Sequence, residues 1–216
     1  MLLCLDLSLK STGYAIFTQE GKLLDKNKIC PPKDYTNPEK ILFIVNNLRT
    51  SFDKARIVVI EDVYLGITGV RNLVSLSRLA GAVIYYWMTL NMKDPIFLSA
   101  THARKVIGLK GNCQKAEVQI FILKKYKFAS SKLIYHYEAE IDRLQEEKDI
   151  INREKPITVL QKKDKKKRLG KVKYRFNKLS KEIEKETGYG EDKCDAILIG
   201  LAYSKELNGV WIRAHR

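Results

Sequence analysis

Residues 1–17 read M-L-L-C-L-D-L-S-L-K-S-T-G-Y-A-I-F, an apolar run, a polar turn and a second apolar run. The pattern predicts a strand, a turn and a second strand, with Gly13 giving the backbone its freedom where the second strand begins. One acid, Asp6, interrupts the first run. An acid in a buried strand is costly unless a cation offsets its desolvation, so Asp6 is a candidate site residue.

The remainder of the chain, apart from 131–187, predicts an α/β sheet of mixed direction. Residues 22–30 predict a third antiparallel strand, and R-I-V-V-I at 56–60 has the apolar, β-branched character of a buried central strand. A short fifth strand is predicted at 96–98. Helices are predicted at 41–48, 72–90, 101–107, 115–125 and 191–207. A mixed five-stranded sheet flanked by helices, with three antiparallel strands first, is the pattern of the ribonuclease H-like fold.

Residues 131–187 depart from this pattern because they carry two heptad seams. The seams comprise Ile134, Tyr137, Ile141, Leu144, Lys148 and Ile151, and then Leu169, Val172, Phe176, Leu179 and Ile183. Pro156 and the run Q-K-K-D-K-K-K-R at 161–168 separate them. The pattern predicts an antiparallel helical hairpin with a basic tip, inserted into a single domain that spans 1–216. A disordered basic linker is the alternative.

The charge of the chain indicates the kind of partner it binds. The 216 residues are 45% hydrophobic and 30% charged, which suffices for a folded core and argues against global disorder. Lys and Arg number 40 against 25 Asp and Glu, a net charge of +15, and twelve basic residues with one acid fall within 155–181. So large an excess indicates a polyanionic partner, most commonly nucleic acid, with solubility alone as the alternative.

Cysteine spacing and hydropathy indicate the compartment. The four cysteines, at positions 4, 30, 113 and 194, show no C-x-x-C spacing and no nearby histidine that would complete a zinc site. Apolar neighbours of Cys4 and Cys194 predict buried thiols in a reducing compartment. Asp6 breaks the apolar stretch that a signal peptide needs, and the longest apolar run, 79–90, is too short to span a bilayer. We therefore expect a cytoplasmic protein without a membrane partner.

Four acids stand at the ends of apolar elements: Asp6, Glu61, Asp192 and Asp195. Glu61 closes the strand at 56–60, and the D-x-x-D pair opens the last helix and projects from one of its faces. Singly, each has an ordinary explanation, since capping explains most such pairs and Glu61 could be a solvated loop residue. Together they can cluster into a site for a hard cation, and their oxygen ligands favour magnesium or manganese.

Four motifs, in matching order, resemble those of the RuvC family of Holliday-junction resolvases. They are L-D-L-S-L-K-S-T-G-Y-A-I-F at 5–17, V-V-I-E-D-V-Y at 58–64, V-I-G-L-K-G-N-C-Q-K-A-E-V-Q at 106–119 and E-D-K-C-D-A-I-L-I-G-L-A at 191–202. They span nearly the whole chain and leave out the predicted hairpin. Leu7 and Ser8 stand where the family usually has Pro-Gly, and the insertion at 131–187 is longer than the bacterial enzymes carry. The resemblance with these departures therefore indicates a phage-type or otherwise divergent member of that family, located in the host cytoplasm if a phage encodes it.

The resemblance implies a crossover junction endodeoxyribonuclease that resolves Holliday junctions by paired nicks in opposing strands. Two Mg²⁺ ions, for which Mn²⁺ would substitute, would lie on the catalytic residues Asp6, Glu61, Asp192 and Asp195, with Asp6 bridging both ions. Water would attack the phosphodiester in line with the leaving 3′-oxygen. The two-fold symmetry of a four-way junction and the family resemblance also imply a homodimer. The helix at 72–90 is a candidate interface, although most of it is expected to belong to the core.

Further residues are expected to contact DNA. The resemblance implies that Tyr64 stacks on an unpaired base and that Lys115 contacts a phosphate. The alternatives are a loop aromatic that covers the core for Tyr64 and an ordinary exposed helix lysine for Lys115. Arg104 and Lys105 lie in a segment that we expect to face phosphates. The basic tip is expected to contact phosphates along a duplex arm, because lysines dominate it and no base-reading pattern accompanies them. Its residues are Lys162, Lys163, Lys165, Lys166, Lys167 and Arg168.

Three other functions stay open. A less selective nuclease would cut forks, flaps or hybrids with the same residues. An architectural DNA-binding protein would explain the charge but not the acids in apolar strands. A phosphotransferase of the actin and sugar-kinase type shares the strand-turn-strand start, but such folds need two domains, more than 216 residues supply. His102, His136 and His215 show no ligand spacing and are expected to be surface or structural residues.

Overall fold

The computed structural model describes residues 1–62, 70–156 and 158–214, and the side chains of 1–62, 73–156 and 158–207. The strands are β1 (Leu2–Asp6), β2 (Thr12–Phe17), β3 (Leu23–Ile29), β4 (Ile57–Glu61) and β5 (Ile96–Leu98). The helices are α1 (Asn37–Lys54), α2 (Val70–Asn91), α3 (Ala100–Val106), α4 (Lys115–Tyr126), α5 (Ser131–Arg153), α6 (Val159–Thr187) and α7 (Glu191–Ala214). Each predicted strand and helix corresponds to one of these elements.

The five strands form one sheet in the order β3-β2-β1-β4-β5. β1 pairs antiparallel with β2 and parallel with β4, β2 pairs antiparallel with β3, and β4 pairs parallel with β5. β1 is the middle strand of this order, and its Cys4 lies opposite Ala15 of β2 on one side and Val59 of β4 on the other. The mixed five-stranded sheet predicted from the sequence is thereby confirmed.

Local sequence signals explain where α1 begins and what it packs against. Thr36 caps the helix, and its backbone N–H donates to Glu39 Oε2 at 2.7 Å in a capping box. The buried side chains of Ile44, Leu48 and Phe52 recur at helical spacing and join the core that the sheet shares with α2. Burial of these apolar side chains holds α1 against the sheet.

Helix α2 is buried on one face only. Leu79, Val83 and Trp87 lie in the core, whereas Tyr85 is 73% exposed. The segment Leu73–Asn91 of α2 is the one stretch in the described ranges that is long and apolar enough to cross a membrane. It extends beyond the apolar run at 79–90 and includes the polar residues Ser75, Ser77 and Arg78. Core helices of soluble proteins can be equally long and apolar, so a single such helix is weak evidence for a membrane span.

The chain divides into two compact units. The first comprises Met1–Asn112 with Asp192–Arg216 and contains the sheet, and the second is Cys113–Glu191. In the second unit, the two seams of α5 and α6 form a buried core, to which α4 contributes Ala116, Ile120 and Leu123. The predicted helical hairpin is present as α5 and α6, and α4 packs against both of its helices.

The basic run at 161–168 lies inside α6, whereas the sequence indicated that it would form the tip between the helices. Helix α5 ends at Arg153 and α6 begins at Val159, with Pro156 between them in the sequence. Thr158 caps α6, because its Oγ1 accepts from Gln161 N at 3.2 Å and its N–H donates to Gln161 Oε1 at 3.0 Å. Lys, Arg and Gln are good helix formers, so a capped run of them extends the helix. The basic residues therefore occupy the first turns of α6.

Candidate metal centre

Three carboxylates that belong to different elements meet in the sheet-containing unit. Ligand oxygens of Asp6, Glu61 and Asp195 all lie within 4.8 Å of one another. Asp6 and Glu61 are half-buried and Asp195 is buried. Carboxylate oxygens at this spacing can hold a divalent cation, and a set of oxygen ligands alone favours hard cations such as Mg²⁺ and Mn²⁺.

Strand register explains why Asp6 and Glu61 are neighbours. β1 and β4 run parallel with Leu5 opposite Ile60, and each acid is the next residue of its strand. Because adjacent parallel strands end at the same edge of a sheet, the two side chains emerge together there. The apolar residues before them anchor both strands in the core, since Leu5 and Ile60 are fully buried.

Two glycines bring α7, which carries Asp195, against the sheet. A Cβ atom on Gly13 would lie 1.9 Å from the backbone oxygen of Asp192, and one on Gly200 would lie 2.1 Å from the ring of Phe17. Any side chain at either position would force α7 away from β2. The sequence predicted that Gly13 is needed for backbone freedom at the start of β2. The φ of Gly13 is not positive, so glycine is required there by the close packing of α7 instead.

Asp192, the fourth predicted acid, does not belong to the group of three carboxylates. It lies one turn before Asp195 in α7, about 4.5 Å nearer the helix start at the usual rise per residue. Its backbone contacts Gly13, and its side chain is half-buried. The structure thus brings three of the four predicted acids together, and Asp192 lies outside this group, three residues before Asp195 in α7.

The residues predicted to face phosphates in α3 have different environments. Arg104 is half-buried, and its Nη1 donates to Gly111 O at 3.4 Å, which ties α3 to the following loop. Lys105 is exposed. His102 is exposed as well and pairs with Glu206 of α7, with 2.5 Å between Nε2 and Oε1. Of the two predicted contacts, Lys105 is thus the one that faces solvent.

Lys115 stands at the start of α4 and forms an ion pair with Glu191, both residues being in the helical unit. Glu191 Oε1 also accepts a hydrogen bond from Ser180 Oγ at 3.1 Å. A phosphate that Lys115 contacts would therefore compete with Glu191 for the ammonium group. Tyr64, the other residue that the resemblance singled out, lies outside the described residues.

The six basic residues expected at the tip divide into two groups. Lys165 and Arg168 hold the end of α5: Lys165 Nζ donates to the backbone oxygens of Asn152 and Glu154 at 2.8 and 2.7 Å, and Arg168 pairs with Glu154 at 2.8 Å. The other four residues are exposed: Lys162, Lys163, Lys166 and Lys167. The sequence pattern placed all six in the connection between the helices rather than inside α6, so no side of a helix distinguished them.

The cysteines are placed as the sequence predicted. Cys4 and Cys194 are buried, and the four cysteines, all within the described ranges, form no disulfide. Burial raises the pKa of the Cys4 thiol well above its ordinary value, which keeps it protonated and unreactive.

Two solved structures resemble this chain in fold. The first, the Thermus thermophilus RuvC structure, is 12% identical with a TM-score of 0.56, and the match covers 97% of this chain and 96% of that chain. The second, T. thermophilus RuvC in complex with Holliday junction substrate, is 11% identical with a TM-score of 0.57 and coverages of 96% and 95%. No protein-family model and no curated protein matches the sequence. The chain has the ribonuclease H-like fold of RuvC, as its motifs predicted.

Proposed function

We propose that the protein is a metal-dependent endonuclease that resolves four-way DNA junctions by paired nicks in opposing strands. The observation that carries this proposal is the convergence of Asp6, Glu61 and Asp195 at the ends of β1 and β4 and the start of α7. The likeness in fold to a protein solved with a Holliday junction, and the net charge of +15, support DNA as the substrate.

The three carboxylates would hold magnesium, and Asp192 would contribute from the preceding turn of α7. Bound Mg²⁺ supplies water activation and neutralises the charge that develops on the leaving 3′-oxygen. Gly13 and Gly200 keep α7 on the sheet, so Asp195 stays beside Asp6 and Glu61. The chain's own contribution is a rigid set of acids on three packed elements.

The DNA contacts of this function would come from exposed cations. Lys105 faces solvent in α3. The ammonium group of Lys115 would leave its ion pair with Glu191 and contact a phosphate instead. The exposed lysines of α6 would contact a duplex arm, whereas Lys165 and Arg168 serve the hairpin itself. Tyr64 would stack on an unpaired base near the junction centre.

Paired nicks need two active sites, and we propose that a homodimer supplies them through α2. Its outward face carries an exposed apolar stripe of Gly81, Tyr85, Met88 and the adjoining Met92 at helical spacing, with the exposed Arg78 one turn before Gly81. A Cβ atom on Gly81 would meet nothing within 4 Å, so a second helix could approach closely there. An exposed apolar stripe of this length is typical of an association surface.

A panel of synthetic substrates tests the proposed function. The protein is incubated with a four-way junction, a fork, a flap and a linear duplex of matched sequence, in Mg²⁺, in Mn²⁺ and in EDTA. The proposal expects symmetric nicks in the junction with either metal and none in EDTA. Equal cutting of forks and flaps would instead indicate a broader nuclease. Tight junction binding without any cleavage would indicate an architectural protein.

A further inference from the structure

The cations of α6 divide according to the direction they face. Those directed toward α5 are engaged: Lys165 donates to the last carbonyls of α5, Arg168 pairs with Glu154, and Arg175 pairs with Glu147 at 2.5 Å. These contacts hold the two helices together. They also remove these three residues from the cations that could bind a ligand.

The opposite side of α6 carries exposed lysines. Lys163, Lys166, Lys167 and Lys173 are exposed, and within the described part of the chain none of them has an ion-pair partner. Helix α5 offers no equivalent, because it carries six acids and four basic residues against the four acids and twelve basic residues of α6. The excess positive charge of the hairpin therefore points away from α5.

Gly170 lies in the middle of this lysine side and has no packing explanation. It is exposed, and a Cβ atom there would meet nothing within 4 Å. Glycine in a helix interior lowers the stability of the helix. An exposed glycine without packing contacts is therefore explained if a ligand must approach the helix backbone closely at that position. The missing side chain leaves a notch between Lys166 and Lys173.

Tyr174 stands one turn beyond the notch and is 69% exposed. An exposed aromatic ring among lysines is a common feature of nucleic-acid-binding surfaces, because the ring packs on sugars or bases while the lysines contact phosphates. From 163 to 174 the helix rises by about 17 Å, which matches roughly five base pairs of a duplex.

We propose that this lysine face, consisting of Lys163, Lys166, Lys167, Gly170, Lys173 and Tyr174, binds the sugar–phosphate backbone of a duplex DNA arm. The backbone would lie at Gly170 with the ring of Tyr174 against a sugar, and binding would be independent of base sequence. That the duplex is an arm of a branched molecule rests on the proposed function. The same face of a second copy of this protein is excluded as the binding partner, because the lysines of the two faces would repel each other.

The charge part of the proposal is tested with two matched triple variants. K163Q/K167Q/K173Q removes three charges from the lysine face, and K132Q/R143Q/R153Q removes three exposed charges from α5. Affinity for a linear 40-base-pair duplex is measured in calcium across a range of salt concentrations. Each lost phosphate contact lowers the slope of log affinity against log salt by roughly 0.9. The slope of the first variant should therefore be lower than that of the parent by about 2 to 3. The control should keep the parent slope.

The notch is tested by Gly170→Ala. The substitution should raise the melting temperature, since the methyl group meets open space, yet weaken duplex binding several-fold without changing the salt slope. Unchanged affinity would overturn the close approach at Gly170, and equal salt slopes for the two triple variants would overturn the lysine face. Tighter binding of duplex RNA than of duplex DNA would also contradict the proposal.

Failure of this inference can be told from failure of the proposed function. If the parent protein cuts junctions but the lysine-face variant binds duplex like the control, the face is wrong and the nuclease stands. If the parent cuts nothing but the salt slopes differ as expected, the face stands as a duplex-binding surface and the nuclease is wrong.

Discussion

Gly13 lies directly against the backbone of Asp192, so close that a Cβ atom on Gly13 would lie 1.9 Å from the Asp192 oxygen. Gly13 is also the strand partner of Asp6 in the register of β1 and β2. One glycine therefore fixes the distance between the strand that carries Asp6 and the helix that carries Asp195. The geometry of the three acids depends on this contact.

Replacing Gly13 by alanine should disturb the candidate metal centre without touching a carboxylate. The methyl group cannot fit unless α7 shifts, and overpacking of this kind costs about 1 to 3 kcal/mol. We expect a lower melting temperature and the loss of most metal-dependent cleavage. Gly170→Ala is the control for the melting temperature alone, because its methyl group meets open space and should stabilise the protein by about 0.5 to 1 kcal/mol, whereas Gly170 also belongs to the proposed DNA-binding face. Full cleavage by the Gly13 variant would show that the contact is dispensable.

The same substitution at two adjacent lysines of α6 should affect different properties, namely stability at Lys165 and DNA binding at Lys166. Lys165→Gln removes the donor to the backbone oxygens of Asn152 and Glu154, so we expect a loss of about 1 kcal/mol of stability. Lys166→Gln removes an exposed charge, so stability should change by less than about 0.5 kcal/mol while the salt dependence of DNA binding weakens. Thermal melting and salt titrations of both variants check this. Identical effects of the two substitutions would contradict the division of the α6 cations.

The α2 stripe should control the oligomeric state. Tyr85 is 73% exposed in the stripe, and Tyr135 of α5 is 70% exposed elsewhere, so the two tyrosines form a matched pair. Tyr85→Glu should shift the protein from dimer to monomer in analytical ultracentrifugation, because a buried charge at an interface is costly. Tyr135→Glu should leave the dimer intact. A parent protein that sediments as a monomer at micromolar concentration would remove the basis for this interface.

Tyr64→Ala should slow junction cleavage more than it weakens junction binding. Base stacking is typically worth about 1 to 3 kcal/mol, and misplacement of the scissile phosphate affects the rate strongly. Single-turnover rates and dissociation constants on one fixed junction measure the two effects separately. Equal single-turnover rates for variant and parent would count against stacking.

Much of the fold could be predicted from the sequence because its signals are local. The unbroken apolar run before Glu61 predicted the buried strand β4, and heptad spacing predicted the seams of α5 and α6. The acids at strand ends predicted that Asp6 and Glu61 would meet, since parallel neighbours end at one edge of a sheet.

What the sequence missed depends on contacts between distant residues. Nothing near Gly13 in the sequence indicates that Asp192 packs on it. The seam at 169–183, extended back by four residues from Leu169 and Val172, reaches Lys165 and Arg168, but this applies only once the basic run is known to be helical. The placement of the basic run inside α6 depends on the cap at Thr158, a local signal that the strong charge of the run obscured. Asp192 and Asp195 share a helix face, but their different heights along the axis separate them at the acidic cluster.

The central claim is that Asp6 holds the metal that cuts DNA, and cleavage of a four-way junction by Asp6→Asn tests it most directly. The amide keeps the shape of the side chain and loses its charge, and Asp53→Asn, an exposed acid in α1, is the matched control. In Mg²⁺ at saturating protein, Asp6→Asn should bind the junction and cut it at least about 100-fold more slowly, which corresponds to roughly 3 kcal/mol of lost transition-state stabilisation, while Asp53→Asn cuts like the parent. Cleavage by Asp6→Asn at the parent rate would contradict the account.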